Sequence, residues 1–382
     1  MAWNLAKEHR VLFLEPPLTL LQPFREVDLN WRHLLNLGRL KYQGRNLYSY
    51  SPVRLLPLSL PGAERFNYYE RDKKRTINTL KKIVGKLKFN NPILWIYYSH
   101  RQYDYYGLFN EKNVVADWYD DFSASTGVAM PVDAINKIRE KEEVLLKKAD
   151  IIFTPSKEMK EKLSEYRGDV NVILHGVDFD LYRDLNKYSL QIAYFEKLKK
   201  PILCYLGIMH TKIDFDLLRY ISSNNQDWTL LLVGKKWFKT PHKEDKKKFL
   251  DLIKQENVVY CKEVKRELVS YYLSCADVCL IPFKNMQINY VTSAPLKLFE
   301  YFAAGKPVVA TDLGREYRYP EMIRTATTYD GFCEQIKKAI PESKDQVLIR
   351  KRRKIAEENS WAEKVRQMMQ IIEDHLMLNE QN

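Results

Sequence analysis

Short apolar runs recur along the chain and alternate with segments long enough to form helices. The candidate strands are Val11–Leu14, Ile93–Tyr98, Val114–Trp118, Ile151–Thr154, Val172–Leu174, Ile202–Leu206, Leu230–Val233, Val258–Tyr260, Val278–Ile281 and Val308–Thr311. Most of these runs are continuous rather than alternating, which is typical of parallel strands buried on both faces. Because helix-length segments separate them, the pattern predicts an α/β fold with right-handed crossovers.

A polar, lysine-rich stretch at residues 183–200 interrupts this pattern, and a new apolar strand follows it. With 382 residues the chain has room for two domains of ordinary size. We therefore predict an N-terminal domain over residues 1–190 and a C-terminal domain over residues 191–382. A single large sheet with a surface loop is the alternative.

The two ends of the chain carry separate signals. A helix-like segment, Ala2–Glu8, precedes the strand Val11–Leu14. A doubly wound domain normally opens with a strand, a loop and then a helix. The opening strand is therefore not found in the pattern, and we predict that it lies upstream of Met1. At the other end, Ser360 and Glu363 form a capping box that begins a last helix with an apolar stripe, which we expect to pack back on the N-terminal domain.

Charge is concentrated in one part of the chain. The net charge is +13, and residues 45–89 hold eleven Lys or Arg residues against three Asp or Glu residues. Within Thr76–Phe89, apolar residues recur at helical spacing, and basic residues occupy other positions: Lys81, Lys82, Lys86 and Lys88. Such a helix can rest on an anionic membrane surface. The alternative is a solvated basic face over the protein core.

The remaining composition favours a reducing compartment. The cysteine count of five is odd and no pair has Cys-x-x-Cys spacing, which favours free thiols over disulfides or a zinc site. No apolar run approaches the roughly 20 residues of a spanning helix, and no signal-peptide pattern opens the sequence. The expected location is cytoplasmic, peripheral on the inner face of the plasma membrane.

The most informative segment runs from Pro295 to Thr311. Pro295 is suited to the first turn of a helix, Gly305 to its end, and a buried strand follows. Lys297 and Glu300 are three positions apart and share a face of this helix. A helix N-terminus attracts phosphate, and a lysine there adds a positive charge. An ordinary surface helix with a Lys–Glu pair is the alternative.

This segment resembles the donor-binding signature of GT-B glycosyltransferases. Among these enzymes it looks most like the bacterial ones that build capsule, exopolysaccharide and teichuronic-acid-like polymers. Enzymes of this type are similar to the glycosyl transferase group 1 family. The run Ala276–Lys284 resembles the strand that leads into the signature, and Gly207 and Gly234 follow strands in the expected order. The resemblance implies two Rossmann-like domains facing across a cleft, with the nucleotide sugar bound by the C-terminal domain.

The resemblance also implies roles for single residues. Glu300 would hold the ribose, while Lys297 and the loop after Gly207 would face the diphosphate, with Pro295 opening the helix. Many relatives carry a first glutamate eight positions before the second, and here that position is Thr292. Threonine can hydrogen-bond a sugar hydroxyl but brings no charge, so the identity of the donor sugar stays open.

Two carboxylates follow the strand Val114–Trp118 directly. Asp120 or Asp121 could take a proton from the acceptor as general base, or could instead cap the next helix. His100 and His175 also follow strands, and we place them on the acceptor side or the wall of the cleft, with a plain surface histidine as the alternative for His100. The Asp214-Phe-Asp216 sequence matches a metal-binding pattern of a different fold, and we predict that it begins a helix instead.

Together these features predict a metal-independent glycosyltransferase without a cofactor. It would move a sugar from a nucleotide-sugar donor, of UDP type, to a lipid-linked or polysaccharide acceptor in cell-surface glycan synthesis. A nucleotide-sugar epimerase of the same fold and a catalytically inactive partner subunit are the alternatives. No nucleic-acid-binding motif accompanies the basic charge, so we expect no nucleic-acid partner.

Overall fold

The computed structural model describes residues 1–15, 18–19, 38–54, 68–97, 105–119, 132–183, 195, 197–238, 243–284, 295–312 and 318–381. The chain divides into two compact units: residues 1–173 with 365–382 form unit 1, and residues 174–364 form unit 2. The division therefore lies before the lysine-rich stretch at residues 183–200, and the last residues of the chain belong to the first unit.

The described elements follow one another in the order of an α/β chain. The strands are β1 (Val11–Leu14), β2 (Leu18–Thr19), β3 (Leu40–Gly44), β4 (Leu47–Tyr50), β5 (Val53–Arg54), β6 (Ile93–Tyr97), β7 (Asn113–Asp117), β8 (Ile151–Thr154), β9 (Val170–Val172), β10 (Ile202–Leu206), β11 (Thr229–Val233), β12 (Val258–Cys261), β13 (Val278–Ile281), β14 (Val308–Thr311) and β15 (Ile323–Ala326). The α-helices are α1 (Ala2–Leu5), α2 (Tyr68–Lys86), α3 (Val132–Lys148), α4 (Lys157–Ser164), α5 (Phe215–Asn224), α6 (Lys243–Leu252), α7 (Arg266–Cys275), α8 (Leu296–Ala303), α9 (Tyr329–Glu342), α10 (Gln346–Glu358) and α11 (Trp361–Gln381).

Unit 1 contains a parallel sheet with strand order β6-β7-β8-β9. A smaller sheet has the order β1-β4-β3, in which β1 runs parallel and β3 antiparallel to β4. On one face of the parallel sheet, Val115 and Phe153 pack against Met368 and Ile372 of the last helix. The expectation that this helix packs back on the N-terminal unit is confirmed, because its apolar stripe completes that core.

Unit 2 contains a parallel sheet with strand order β12-β11-β10-β13-β14-β15. The strands β10, β11 and β12 follow one another towards one edge of the sheet, and β13 then pairs with the other side of β10. Apolar clusters cover both faces of the sheet, which explains why its strands are continuous apolar runs. The reversal makes the carboxyl ends of β10 and β13 the switch point, where ligands bind in open α/β sheets.

The apolar stripe of α2 is covered by protein. Leu80 is only 4% exposed and belongs to a core cluster with Tyr50 and Ile83, against which Leu87 also packs. The prediction that this stripe rests on a membrane is therefore wrong for Leu80 and Leu87, and the alternative of a basic face over the core describes the helix better. The charged members of the prediction, Lys81, Lys82, Lys86 and Lys88, are all exposed.

No helix in the described part of the chain combines the length and the apolar character needed to cross a membrane.

Candidate functional site

Two glycine-containing loops meet at the carboxyl edge of the unit 2 sheet. Gly207 follows β10 with φ +142°, and Gly234 follows β11 with φ +141°, a conformation that side-chain-bearing residues rarely adopt. A Cβ atom on Gly234 would lie 2.1 Å from the carbonyl oxygen of Gly207, so only glycine allows the loops to pack together. A Cβ atom on Gly207 would lie 3.1 Å from the Lys297 Nζ. The first loop therefore runs directly beside this amine.

Lys297 occupies the first turn of α8, after Pro295 at the N-cap position. Its Nζ donates a hydrogen bond to the Tyr205 hydroxyl at 2.8 Å and lies 4.1 Å from the centre of that ring. The ring of Phe283, which follows β13, lies 4.8 Å from the same nitrogen. Burial between these groups lowers the pKa of Lys297 to about 7, although Glu300 opposes the shift. The amine thus sits at the switch point without a hydrogen-bonded carboxylate among the described residues.

A second tyrosine fixes the helix that carries Lys297. The Tyr301 hydroxyl accepts a hydrogen bond from the Leu206 backbone N–H at 3.0 Å and donates one to the Leu280 carbonyl at 3.2 Å. Leu206 ends β10 and Leu280 lies in β13, so the hydroxyl links the two strands beyond their last paired residues. Because these groups are buried, breaking the links would leave polar backbone atoms unpaired. The helix position is therefore set by the strands that form the switch point.

Glu300 lies one turn after Lys297, and within the described ranges no donor forms a hydrogen bond to its carboxylate. Burial raises the pKa of its carboxyl, and the positive charges of Lys297 and then Arg266 oppose that shift. Arg266, at the start of α7, pairs instead with Asp178 at 3.3 Å. The Glu300 carboxylate is thus partly buried and retains its capacity to accept hydrogen bonds from a ligand.

His210 is a candidate that the sequence analysis missed. Its Nδ1 accepts a hydrogen bond from the Lys212 backbone N–H at 3.0 Å, so the ring proton of the neutral form lies on Nε2. Burial lowers the pKa of His210 to about 4, and the charges of Lys297 and Lys212 act in the same direction. The ring is therefore a neutral donor near Lys297. The only signal in the sequence was its position three residues after Gly207.

A second missed group is Asp117 at the carboxyl end of β7 in unit 1. It is only 6% exposed, and the Trp95 indole N–H donates a hydrogen bond to its Oδ2 at 3.4 Å. Burial raises its pKa to about 6, despite this hydrogen bond and the nearby N-terminal amine. The sequence pattern had indicated only the two carboxylates that follow, Asp120 and Asp121.

The other sequence-predicted residues have different outcomes. Asp120, Asp121, His100 and Thr292 lie outside the described residues. His175 lies at the start of unit 2, where burial lowers its pKa, and no described contact joins it to Lys297 or Glu300.

The Asp214-Phe-Asp216 sequence begins α5, as predicted. The Asp214 carboxylate accepts a hydrogen bond from the Leu217 N–H at 2.9 Å, and Asp216 pairs with the Lys248 Nζ at 2.6 Å. The helix-capping prediction is confirmed.

Residues 200–369 match the family model described as Glycosyl transferases group 1. Over 242 residues the chain is 28% identical to the putative teichuronic acid biosynthesis glycosyltransferase TuaH of Bacillus subtilis (strain 168). That alignment covers 61% of this chain and 59% of the relative, so the chain spans about three-fifths of the relative's length. The stretch that matches the family model includes Gly207, Lys297 and Glu300.

Solved structures resemble the chain over most of its length. Sucrose-phosphate synthase from Thermosynechococcus elongatus superposes with a TM-score of 0.61 at 16% identity, covering 88% of this chain and 85% of that one. Alr3699/HepE of Anabaena in complex with UDP-glucose gives a TM-score of 0.55 at 12% identity, covering 85% and 86%. At these identities the similarity establishes the fold. The chain therefore has the GT-B fold, and its residues 200–369 are a glycosyl transferase group 1 domain.

Proposed function

We propose that this protein transfers a sugar from a UDP-sugar donor to a lipid-linked or polysaccharide acceptor in cell-surface glycan synthesis. One observation carries the proposal: a largely buried lysine is held at the switch point of the group 1 domain, one helical turn before a carboxylate with free acceptor capacity. The TuaH relative, named for teichuronic acid biosynthesis, supports the product class. The HepE structures with UDP and UDP-glucose support the donor class.

In the proposed reaction, an acceptor hydroxyl oxygen forms a bond to the anomeric carbon while the bond from that carbon to the diphosphate oxygen breaks. The electron pair of the broken bond stays on the diphosphate, whose growing charge the Lys297 ammonium stabilises. The neutral His210 ring donates its Nε2 proton as a hydrogen bond to the same group. Glu300 accepts hydrogen bonds from the ribose hydroxyls, and the loop at Gly207 lets the phosphates approach the backbone.

The proton released by the acceptor needs a base, and we assign it to Asp120 or Asp121. The assignment rests on their position directly after β7, since carboxyl ends of parallel strands border ligand sites. Asp120→Asn or Asp121→Asn is expected to slow transfer by about 10²–10⁴ while leaving UDP binding unchanged. If both variants keep full turnover, the base lies elsewhere. Donor conversion without any acceptor would favour the epimerase alternative.

The donor site is tested by calorimetric titration of the full chain with UDP. We expect Lys297→Ala and Glu300→Ala each to weaken binding by roughly 1.5–3 kcal/mol, because each removes a charge-assisted hydrogen bond. Lys338→Ala, which changes an exposed lysine of α9, is the matched control and should leave the affinity unchanged. Unchanged affinity in both site variants would reject the donor assignment.

We further propose a cytoplasmic location with peripheral contact to an anionic membrane through Lys81, Lys82, Lys86 and Lys88. Because Leu80 and Leu87 pack on the core, this contact would be electrostatic and should be released as salt rises. Sedimentation with vesicles of phosphatidylglycerol and phosphatidylcholine measures it, and a variant with all four lysines changed to Glu should not bind. Equal binding of the wild type to purely neutral vesicles would contradict this contact.

A further inference from the structure

The Tyr205 side chain meets Lys297 at the carboxyl edge of the unit 2 sheet. Tyr205 is fully buried and belongs to the apolar cluster on one face of the sheet, together with Met209. The helix α8, which carries Lys297, packs on the other face, where Leu298 belongs to the second cluster. The hydrogen bond from the Lys297 Nζ to the Tyr205 hydroxyl therefore joins elements from the two faces of the sheet at the switch point.

The hydrogen bonds of the Tyr205 hydroxyl fix its orientation. It donates its proton to the Ile208 carbonyl at 3.2 Å and accepts the hydrogen bond from the Lys297 Nζ at 2.8 Å. Burial raises the pKa of this hydroxyl, so it keeps its proton across the neutral range. The peptide that carries the Ile208 carbonyl is itself held, because the Met209 N–H donates to the Lys235 carbonyl at 2.8 Å. The hydroxyl thus presents a fixed acceptor to the amine.

The same contact holds the amine against the loop that follows β10. A Cβ atom on Gly207 would lie 3.1 Å from the Lys297 Nζ and 3.3 Å from the Tyr205 hydroxyl oxygen. Within the described ranges, no group accepts a hydrogen bond from the backbone N–H of Ile208 or of His210. An anion bound at these N–H groups would lie beside the Lys297 ammonium, which has further N–H donors besides the one that Tyr205 accepts.

We infer that Tyr205 is a positioning residue for donor binding, whose hydroxyl holds the Lys297 ammonium where the diphosphate of the nucleotide sugar binds. The inference rests on the proposed function, because it requires that Lys297 contacts the diphosphate. Lysine is a compact charge on a flexible stem, so a directional contact is needed to fix its amine. Packing alone requires only the ring of Tyr205, since phenylalanine has nearly the same volume. The hydroxyl adds the contact that a phenylalanine could not supply.

The test compares UDP with uridine, which has the same base and ribose but no phosphate, by calorimetric titration of the full chain. Uridine is measured by its displacement of UDP. Tyr205→Phe should weaken UDP binding about three- to tenfold, because the amine loses its directional contact. Uridine affinity should change by less than about twofold, which also shows that the variant is folded.

The matched control is Tyr260→Phe, which removes a hydroxyl that donates to the Gly234 carbonyl at 3.0 Å in the neighbouring loop. No described contact joins Tyr260 to Lys297. The control should therefore leave the ratio of the UDP and uridine affinities at the wild-type value.

A double-mutant cycle with Lys297→Met separates positioning from damage to the fold. In the Lys297→Met background, Tyr205→Phe should change UDP affinity by less than about twofold, because the amine through which it acts is gone. An equal loss in both backgrounds, or equal weakening of UDP and uridine, would overturn the inference and leave Tyr205 as a core residue.

Unchanged UDP affinity in Tyr205→Phe would also overturn the inference, while the donor assignment would stand if Lys297→Ala and Glu300→Ala weaken binding. Absence of UDP binding by the wild type would overturn the donor assignment and the inference together.

Discussion

Raising the pH should weaken UDP binding, because the proposed phosphate-binding amine titrates near neutrality. Burial against Tyr205 and Phe283 lowers the pKa of Lys297 to about 7 in the free protein. A bound diphosphate favours the ammonium form, so binding above pH 7 requires proton uptake. The affinity should then fall about sixteenfold between pH 7 and 8.5, which equals about 1.6 kcal/mol, and the slope should approach tenfold per pH unit towards the upper end of this range.

Calorimetry measures this effect in two ways. The affinity for UDP is followed from pH 7 to 8.5, where the phosphates of UDP no longer titrate appreciably. Repeating the titration at pH 8.5 in buffers of different ionisation enthalpy should show uptake of nearly one proton per UDP bound. Lys297→Met should bind weakly and independently of pH. Tyr205→Phe removes the oxygen that accepts a hydrogen bond from the Lys297 Nζ, so it should move the midpoint of the affinity-versus-pH profile to lower pH.

A flat affinity profile in the wild type, with no proton uptake at pH 8.5, would refute this reasoning. A slope that survives in Lys297→Met would assign the titration to another group. His210 is the nearby candidate, but its pKa of about 4 places its titration well below the measured range. Burial raises the pKa of the Glu300 carboxyl, so Glu300 is the group to which a slope that survives in Lys297→Met would be assigned.

Three further predictions concern stability. Gly234→Ala should lower the free energy of unfolding by about 1–3 kcal/mol or more in urea titrations, because its Cβ would collide with the Gly207 carbonyl; an unchanged midpoint would contradict this. Glu342→Gln should cost about 3–5 kcal/mol, since Glu342 bridges Arg324 and the buried Arg352; a loss below 1 kcal/mol would show that the pairs matter little. Asp117→Asn should stabilise the protein by about 3 kcal/mol at pH 8 and by nothing below pH 4, because burial disfavours the carboxylate that forms as the pH rises through about 6. Equal stability of the variant and the wild type at pH 8 would refute this prediction.

The sequence predicted the parallel strands well because a strand that is buried on both faces is a continuous apolar run. Runs such as Ile202–Leu206 have no solvent-facing position, and every residue of that strand is buried. The hairpin of β3 and β4 has no continuous apolar run, since its strands mix aromatic, polar and apolar residues. Its turn at Arg45 and Asn46 adopts positive φ at both positions without the glycine that usually indicates this geometry.

The candidate site was predictable only in part. Lys297 and Glu300 stood out because they share a helix face within a segment that resembles the donor-binding signature of GT-B glycosyltransferases. Their partners could not be predicted, because Tyr205 lies 92 positions from Lys297 in the sequence and meets it only through the folding of the sheet. His210 was missed for the same reason: its lowered pKa depends on burial by neighbouring elements and on the charge of Lys297, which no local pattern encodes.

The last helix has a consequence for the order in which the protein can assemble during synthesis. Residues 365–382 belong to unit 1, and Met368 and Ile372 fill its core beside Val115 and Phe153. Unit 2, residues 174–364, is by contrast one uninterrupted stretch. On the ribosome, residues 1–173 must therefore wait for residues 365–382, with an apolar sheet face uncovered until then. We expect unit 2 to reach its native state earlier, and nascent chains that stop before residue 365 to be prone to aggregation.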